Sequence, residues 1–235
     1  DQDSRSQKNA APQILRTVTL PQPDGRAAGF TRLGPGQTGI RFTNQLSMAM
    51  VGRNRLIEDG SGVAAGDVDG DGLTYLYFCN VNGDNRLYRN LGGLHFVDTT
   101  AAAGVGCPGQ VSTGAVLADV DGDDRTDLIA AHVSTNVSRE VRVLGDPDDA
   151  RGFQAPSLYP TGQSGTQGIT LADIDSDTDL DAVVYAIGRV YVMANDGAGR
   201  FAPGVEVAYL VTPAVRSWCD PGQLIATDLD NDDDS

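Results

Sequence analysis

Aspartate recurs at every second position in four short segments of the chain. The segments read GDVDGDG, ADVDGDD, ADIDSDT and TDLDNDD, and their first aspartates are Asp67, Asp119, Asp173 and Asp228. Side chains at positions 1, 3 and 5 of such a tight loop point toward one centre, and a carbonyl at position 7 with an acid at position 9 completes a shell of oxygen ligands. Hard oxygen ligands in that number are typical of calcium. We therefore predict Ca2+ as the cofactor, and we number the segments loops 1 to 4.

The four loops differ in how completely they supply this shell. Loops 2 and 3 have an acid at position 9. Loop 1 has Tyr75 there, which predicts weaker binding or a water ligand. The sequence reaches Ser235 before position 9 of loop 4, so the occupancy of that loop is left open. The predicted ligands are Asp67, Asp69, Asp71 and the Leu73 carbonyl in loop 1; Asp119, Asp121, Asp123, Asp127 and the Arg125 carbonyl in loop 2; Asp173, Asp175, Asp177, Asp181 and the Asp179 carbonyl in loop 3; and Asp228, Asp230 and Asp232 in loop 4.

Two other interpretations of the acidic loops are weaker. An EF-hand starts with the same D-x-D-x-D-G pattern, but it needs flanking helices and a glutamate at position 12. Position 12 is Phe78, Ala130 or Val184 in loops 1 to 3, which excludes an EF-hand. A solvated acidic run would not keep aspartate at alternate positions in four copies between apolar strands.

The loops belong to an internal repeat. Their first aspartates are 52, 54 and 55 residues apart, which is the period of a propeller or an array. In each repeat a short apolar run enters the loop, two β-rich runs follow, and a glycine-containing turn indicates a hairpin before a last short strand. Because four strands per repeat make one propeller blade, we predict an all-β fold: a β-propeller of four-stranded antiparallel blades, with about three to four blades of an incomplete ring in this chain. The second strands are predicted at Leu73–Cys79, Asp127–Val133 and Leu180–Ala186, the third at Arg86–Arg89, Val141–Leu144 and Val190–Met193, and the last near Phe96, Phe153 and Phe201.

The sequence divides the chain into two segments. Residues 1–29 are predicted to be a flexible leader, since the first residues are polar and lack hydrophobic periodicity. Residues 30–235 are assigned to the propeller repeats, which stop within loop 4, so we expect this chain to be part of a longer protein. Phe30–Leu33 followed by Thr38–Ile40 echoes Phe96–Thr99 followed by Ala103–Val105. We therefore expect the chain to enter the ring through an outer strand before Gly62, with an unrelated edge hairpin as the alternative.

The motifs resemble a known family. The GDVDGDG core and its degenerate copies, with Asn85–Asn90, Asn195–Phe201 and the F-x-x-x-T pattern from Phe96, are similar to the FG-GAP/VCBS repeats of integrin α-subunit propellers and of many bacterial surface proteins. Together with Gly39–Phe42 and Phe96–Val105, the first repeat resembles the bacterial ASPIC/UnbV type. The resemblance implies a ring of about seven or eight blades, calcium in the blade loops, and ligands bound elsewhere on the disc or by attached domains.

Composition narrows the partners and the location. The formal net charge of -15 argues against nucleic acid or an anionic membrane surface as a partner, and the lack of an apolar run of about 20 residues argues against membrane insertion. Extracellular calcium sites are too weak to fill at cytosolic calcium levels. We therefore expect an extracellular, cell-surface or periplasmic protein that binds a protein or glycan, with extracellular assembly as a further option. Cys79, Cys107 and Cys219 lack the spacing of metal or redox motifs, and their pairing is left open.

No catalytic set can be nominated from the sequence. The chain has two histidines, His95 and His132, and neither lies in a metalloprotease or nucleophile-elbow motif. Most of the acids are assigned to the loops. We therefore predict a non-catalytic scaffold. The alternative is the propeller part of a secreted carbohydrate-active or lipid-active enzyme whose catalytic residues lie outside this chain.

Overall fold

The computed structural model describes residues 30–44, 46, 61–133, 140–144, 153, 155–161, 165–186 and 188–209. The predicted leader at residues 1–29 and the predicted ligands of loop 4 lie outside these residues, and both stay predictions. The chain divides into two compact units, Asp1–Leu33 and Gly34–Ser235. Residues 30–33, the described part of the first unit, form no helix or strand. The second unit contains every element discussed below.

The described part of the second unit contains three four-stranded antiparallel sheets. Within each sheet the four strands lie side by side in chain order, which confirms the all-β prediction and agrees with one sheet per propeller blade. Sheet 1 contains β1 (Val63–Gly66), β2 (Tyr75–Phe78), β3 (Arg86–Asn90) and β4 (Phe96–Asp98); sheet 2 contains β5 (Val111–Ala118), β6 (Asp127–Val133), β7 (Glu140–Leu144) and β8 (Ser157–Pro160); sheet 3 contains β9 (Thr166–Ala172), β10 (Asp181–Ala186), β11 (Arg189–Met193) and β12 (Val205–Tyr209).

The second and third strands of each sheet lie where the β-rich runs predict them. The fourth strands of sheets 2 and 3 begin four residues later than expected. Phe153 and Phe201, the predicted starting points, are instead buried single residues, 9% and 5% exposed, ahead of β8 and β12. Phe201 forms one isolated bridge with Asn195. These two aromatic residues close the hydrophobic layers between sheets, so their apolar character marks packing sites and not strand starts.

The first strands of the three sheets pack directly on one another. The Gly62 N–H donates to the Thr113 carbonyl at 2.8 Å, and the Thr113 hydroxyl donates to the Thr166 carbonyl at 2.8 Å. Glycine makes this approach possible, because a Cβ atom added to Gly62 would lie 3.0 Å from the Cα of Gly114. Close contact between the first strands of successive sheets is the arrangement that a propeller requires around its axis.

Two hydrophobic layers fill the spaces between the sheets. Neighbouring residues of β6 face opposite layers, as the two-residue period of a strand dictates. Leu128 belongs to the layer between sheets 1 and 2, and Ile129 belongs to the layer between sheets 2 and 3. Sheet 2 is therefore covered on both sides, which explains why its central strand reads as an almost continuous apolar run.

The predicted echo at the N-terminal side is present as a helical turn and not as a strand. Helix α1 (Pro35–Thr38) and helix α2 (Thr100–Ala103) are each one turn long. Each ends at a glycine in the left-handed conformation, Gly39 with φ 79° and Gly104 with φ 72°, as is common at helix C-termini. Residues 30–33 form no strand. Residues 47–60 lie outside the described residues, so the outer strand expected before Gly62 stays a prediction.

Cys79 and Cys107 are both buried free thiols. Burial raises the pKa of the Cys79 thiol, which keeps it protonated and unreactive. Cys219 lies outside the described residues.

Candidate metal centre

The acidic loops connect the first strand of each sheet to the second. Loop 1 joins β1 to β2, loop 2 joins β5 to β6, and loop 3 joins β9 to β10. All three have positive φ at positions 4 and 6, although their residues differ there. Position 4 is Gly70 (71°), Gly122 (75°) and Ser176 (62°), and position 6 is Gly72 (81°), Asp124 (64°) and Thr178 (80°). The three loops therefore share one backbone conformation.

The aspartate at position 1 organises that conformation by accepting backbone N–H groups of its own loop. Asp67 accepts the N–H groups of Gly70 and Gly72 at 3.0 and 2.8 Å. Asp119 accepts four N–H groups from residues 121–124. Asp173 accepts those of Asp177 and Thr178. Short aspartate side chains are well suited to such local bonds, so this residue fixes the loop before any ligand is considered.

In loops 2 and 3 the acid at position 9 is buried and held in place. Asp127 and Asp181 are each 1% exposed. A carboxylate oxygen of each accepts the N–H of the residue at position 2, Val120 or Ile174, at 3.0 Å. Asp181 also accepts the Asn195 N–H at 2.8 Å. A buried carboxylate is tolerated because it receives these bonds, and its position is fixed by the strand that it begins.

Carboxylates converge in all three described loops. In loop 2 the oxygens of Asp119, Asp121 and Asp127 lie within 4.8 Å of one another, and in loop 3 those of Asp173, Asp175 and Asp181 do so. Positions 1, 3 and 9 therefore meet in these two loops. In loop 1 the corresponding group is Asp67, Asp69 and Asp71, from positions 1, 3 and 5.

In loops 2 and 3 the aspartate at position 5 accepts a backbone N–H of its own loop. Asp123 accepts the N–H of Arg125 at 3.0 Å, and Asp177 accepts the N–H of Asp179 at 3.0 Å. Neither aspartate belongs to the converging group of its loop. The carbonyls of Leu73, Arg125 and Asp179 at position 7 stay predicted ligands, as do Asp123 and Asp177.

Crowding of like charges is visible in loop 3. Partial desolvation, followed by repulsion from Asp177 and Asp181, raises the pKa of Asp175. Desolvation and repulsion from Asp177, Asp173, Asp181 and Asp196 raise the pKa of Asp179. Each direction means that the ionised form is disfavoured in the protein without a cation. A divalent ion would remove this repulsion, so the donor set of loop 3 fits calcium.

Loop 1 contains a cation from its own chain. The Arg89 guanidinium lies 2.7 Å from a carboxylate oxygen of Asp69 and 3.3 Å from one of Asp71. Tyr75, at position 9, donates its hydroxyl to the same oxygen of Asp69 at 2.9 Å. Sequence reasoning identified the missing acid at Tyr75 but did not identify Arg89. Arg89 could have been found only from the register of β2 with β3. Leu76 pairs with Tyr88, which places the next residue, Arg89, opposite Tyr75.

The loops also contact the neighbouring sheets. The Thr126 hydroxyl of loop 2 donates to the Asp67 carbonyl of loop 1 at 2.7 Å. The Val120 carbonyl of loop 2 accepts the Asn195 side-chain amide at 2.8 Å and the Gly199 N–H at 3.1 Å. The order of each loop therefore affects contacts between sheets as well as one strand connection.

The histidines do not form an accessible catalytic pair. His95 lies in the turn before β4 and is exposed. His132 in β6 contacts the Ser112 hydroxyl at 3.0 Å through Nδ1, but the two residues are 1% and 0% exposed. Burial, then the charge of Arg142, lowers the pKa of His132 to about 4. This pair is closed to a substrate and is part of the packing between strands.

Comparison with known proteins adds a family to this geometry. Residues 67–130, which run from the start of loop 1 into β6, match the family model of the FG-GAP-like repeat. This segment is similar to FG-GAP-like repeats. The resemblance stated from the sequence is thereby confirmed, and the matched segment contains loops 1 and 2 in full.

Curated relatives include cartilage acidic protein 1 from three vertebrates. The mouse (Mus musculus) and human (Homo sapiens) proteins are each 30% identical over 132 residues, and the Xenopus tropicalis protein is 27% identical over 130 residues. Each alignment covers 52% of this chain and 18 or 19% of the relative. The chain therefore spans about a fifth of the length of these relatives.

One similar solved structure is that of a lectin of Agrocybe aegerita, which specifically recognises non-reducing terminal N-acetylglucosamine. It aligns with a TM-score of 0.42 and 20% sequence identity, over 64% of this chain and 40% of that one. At this level of similarity the lectin indicates neither the fold nor the ligand of this chain.

Among the described residues, no helix has the length and apolar character needed to span a membrane.

Proposed function

We propose that this chain is a calcium-stabilised, non-catalytic FG-GAP-type propeller scaffold, in which loops 2 and 3 each bind one Ca2+. The observation that carries the proposal is the convergence of carboxylates from positions 1, 3 and 9 within 4.8 Å in both loops. Position 9 is buried and anchored by backbone N–H groups in each. An acidic surface run would not twice place a buried carboxylate beside a half-buried one and an exposed one.

The residues at positions 1, 3 and 9 each have a different part in holding the ion. Position 1 fixes the loop, position 9 ties the start of the second strand to the site, and position 3 supplies an exposed carboxylate that closes it. Two carboxylates about 4 Å apart repel by up to about 4 kcal/mol at an effective dielectric of 20. Calcium would replace that repulsion by attraction, and at ten times Kd each bound ion would stabilise the folded state by about 1.4 kcal/mol.

The proposed setting is outside the cytoplasm. Calcium modules of extracellular proteins commonly have Kd values of order 10⁻⁴ to 10⁻³ M, and such sites are largely empty at cytosolic calcium levels. The FG-GAP-like repeat and the strongly acidic surface support a scaffold that binds a protein or glycan partner and not nucleic acid. The contact between Ser112 and His132 is buried, so we assign it to packing and not to catalysis.

Calcium titration of matched variants tests the proposal. Isothermal titration of the chain is expected to show calcium binding that loses about one ion in Asp121→Ala and one in Asp175→Ala. Asp124→Asn, at position 6 of loop 2, is the control and is expected to keep the full count, since Asp124 is not among the converging acids. Equal counts in all four proteins, or binding of magnesium with equal affinity, would contradict the proposal.

A further inference from the structure

We propose that loop 1 carries its own cation: the Arg89 guanidinium, together with the Tyr75 hydroxyl, takes the place that a metal ion takes in the other loops. Loop 1 then closes without calcium, and the metal dependence of the chain is confined to the later loops. This inference rests on the proposed function for its contrast with loops 2 and 3, but its own geometry is independent of them.

The contacts of Arg89 span the carboxylates of loop 1. One terminal nitrogen reaches both Asp69 and Asp71, at 2.7 and 3.3 Å. The centre of the guanidinium also lies 6.0 Å from the centre of the Tyr75 ring, within the range of a cation–π contact. Tyr75 is 6% exposed, so this ring is a fixed surface against which the side chain of Arg89 is placed. The hydrogen bond to Asp71, with the charges nearby, raises the pKa of Arg89.

A position-by-position comparison with sheet 3 shows that two facing residues differ. Leu76 pairs with Tyr88 in sheet 1, and Ala182 pairs with Met193 in sheet 3. Tyr75 therefore corresponds to Asp181, and Arg89 corresponds to Ala194.

The next residue in each sheet confirms this alignment independently. Asn90 donates its side-chain amide to the carbonyl of Thr74 at 3.1 Å, and Asn195 donates its own to the carbonyl of Leu180 at 3.2 Å. Thr74 and Leu180 both stand at position 8 of their loops. Relative to loop 3, loop 1 has therefore lost one carboxylate and gained one cation at adjoining sites of the same framework.

The presence of Arg89 disfavours calcium in two ways. A divalent ion approaching Asp69 and Asp71 must displace the guanidinium from the oxygens that it would need, and it must then lie near a like charge that stays ionised at any relevant pH. Tyr75 supplies a neutral hydroxyl where loops 2 and 3 supply a carboxylate, so loop 1 offers a cation one negative charge less than those loops do. The residues of loop 1 therefore do not fit the ion that its motif predicts.

Restoring the residues of sheet 3 tests the inference. The double variant Tyr75→Asp/Arg89→Ala gives loop 1 the pattern of loop 3, and isothermal titration is expected to show one more calcium ion per chain than in the parent. The matched control is Tyr75→Asp/Arg86→Ala. Arg86 lies on the same strand with a similarly exposed side chain but pairs with Asp84 and Asp98. The control keeps Arg89 and is expected to gain no ion.

Asp69→Ala in the parent is the reciprocal test. It is expected to leave the calcium count unchanged, and a loss of one ion would overturn the inference, as would a double variant that folds and gains none. If the parent binds no calcium while the double variant binds one, the proposed function fails and this inference stands. If the double variant does not fold, Arg89→Ala decides. Its melting temperature is expected to fall in chelator and to fall by no more in calcium, because removal of the guanidinium opens Asp69 and Asp71 to the ion. A larger fall in calcium than in chelator would overturn the inference.

Discussion

Loops 1 and 3 have the same backbone conformation but differ in the residues that face their aspartate charges. Both have left-handed residues at positions 4 and 6 and an aspartate at position 1 that accepts the N–H groups of the loop. Position 9 of loop 3 is the buried Asp181, which belongs to the converging group, whereas position 9 of loop 1 is Tyr75, which lies beside Arg89. The loop conformation is thus independent of how its charge is balanced.

Under the proposed assignment, the comparison locates the residues on which metal dependence rests in such a repeat. The D-x-D-x-D pattern sets the turn, and the two residues that face it from β2 and β3 set the ligand. If loop 3 binds calcium as proposed, such a repeat keeps its loop conformation while a side chain takes the place of the metal ion. The exchange needs only two substitutions, because β2 and β3 are paired and bring their residues to the same place.

The largest effect is expected from removing the buried acid of loop 3. Asp181→Ala leaves the N–H groups of Ile174 and Asn195 without their acceptor, at a cost of about 3 kcal/mol in the free energy of unfolding. In calcium at ten times Kd, a further loss of about 1.4 kcal/mol is expected. Urea unfolding in calcium and in chelator measures both parts.

The loop 1 counterpart makes this comparison sharper. Tyr75→Phe removes one hydrogen bond to Asp69 and is expected to cost about 1 kcal/mol, equally in calcium and in chelator. If Asp181→Ala costs no more in calcium than in chelator, or if Tyr75→Phe costs more in calcium, the contrast between the loops is wrong.

A smaller effect is expected at position 6, where the loops share a conformation but not a residue. Thr178 has φ 80°, and a β-branched residue is strained in this region by about 1–2 kcal/mol. Thr178→Gly is therefore expected to stabilise the protein by about 1 kcal/mol, after allowance for the added freedom of the unfolded chain. The reverse change, Gly72→Thr in loop 1, should destabilise the protein by a similar amount, because Gly72 has φ 81°. Nothing lies within 4 Å of a Cβ atom added there, so backbone strain is the only cost expected. Thermal unfolding of the two variants measures the difference, and two shifts of the same sign would show that the loop conformations differ in solution.

The sequence predicts the framework of this site better than its contents. The positions of loops 1 to 3 and of β6 follow from aspartate spacing and apolar runs, which are local signals. The salt bridge between Arg89 and Asp69 joins residues on different elements and depends on the register of β2 with β3. This register cannot be deduced from the local sequence. The same reason explains Phe153 and Phe201: their burial depends on a neighbouring sheet, so their position along the chain does not predict where β8 and β12 begin.

Hydrogen exchange of the three loops, followed by mass spectrometry in millimolar calcium and in chelator, tests the central claim most directly. Local order that depends on a bound ion is lost when the ion is removed, and exchange reports this loss segment by segment. The account predicts that residues 119–127 and 173–181 exchange faster in chelator, while residues 67–75 exchange at the same rate in both. Equal acceleration in all three loops would show that Arg89 does not replace the ion, and no acceleration in any of them would show that loops 2 and 3 are not calcium sites.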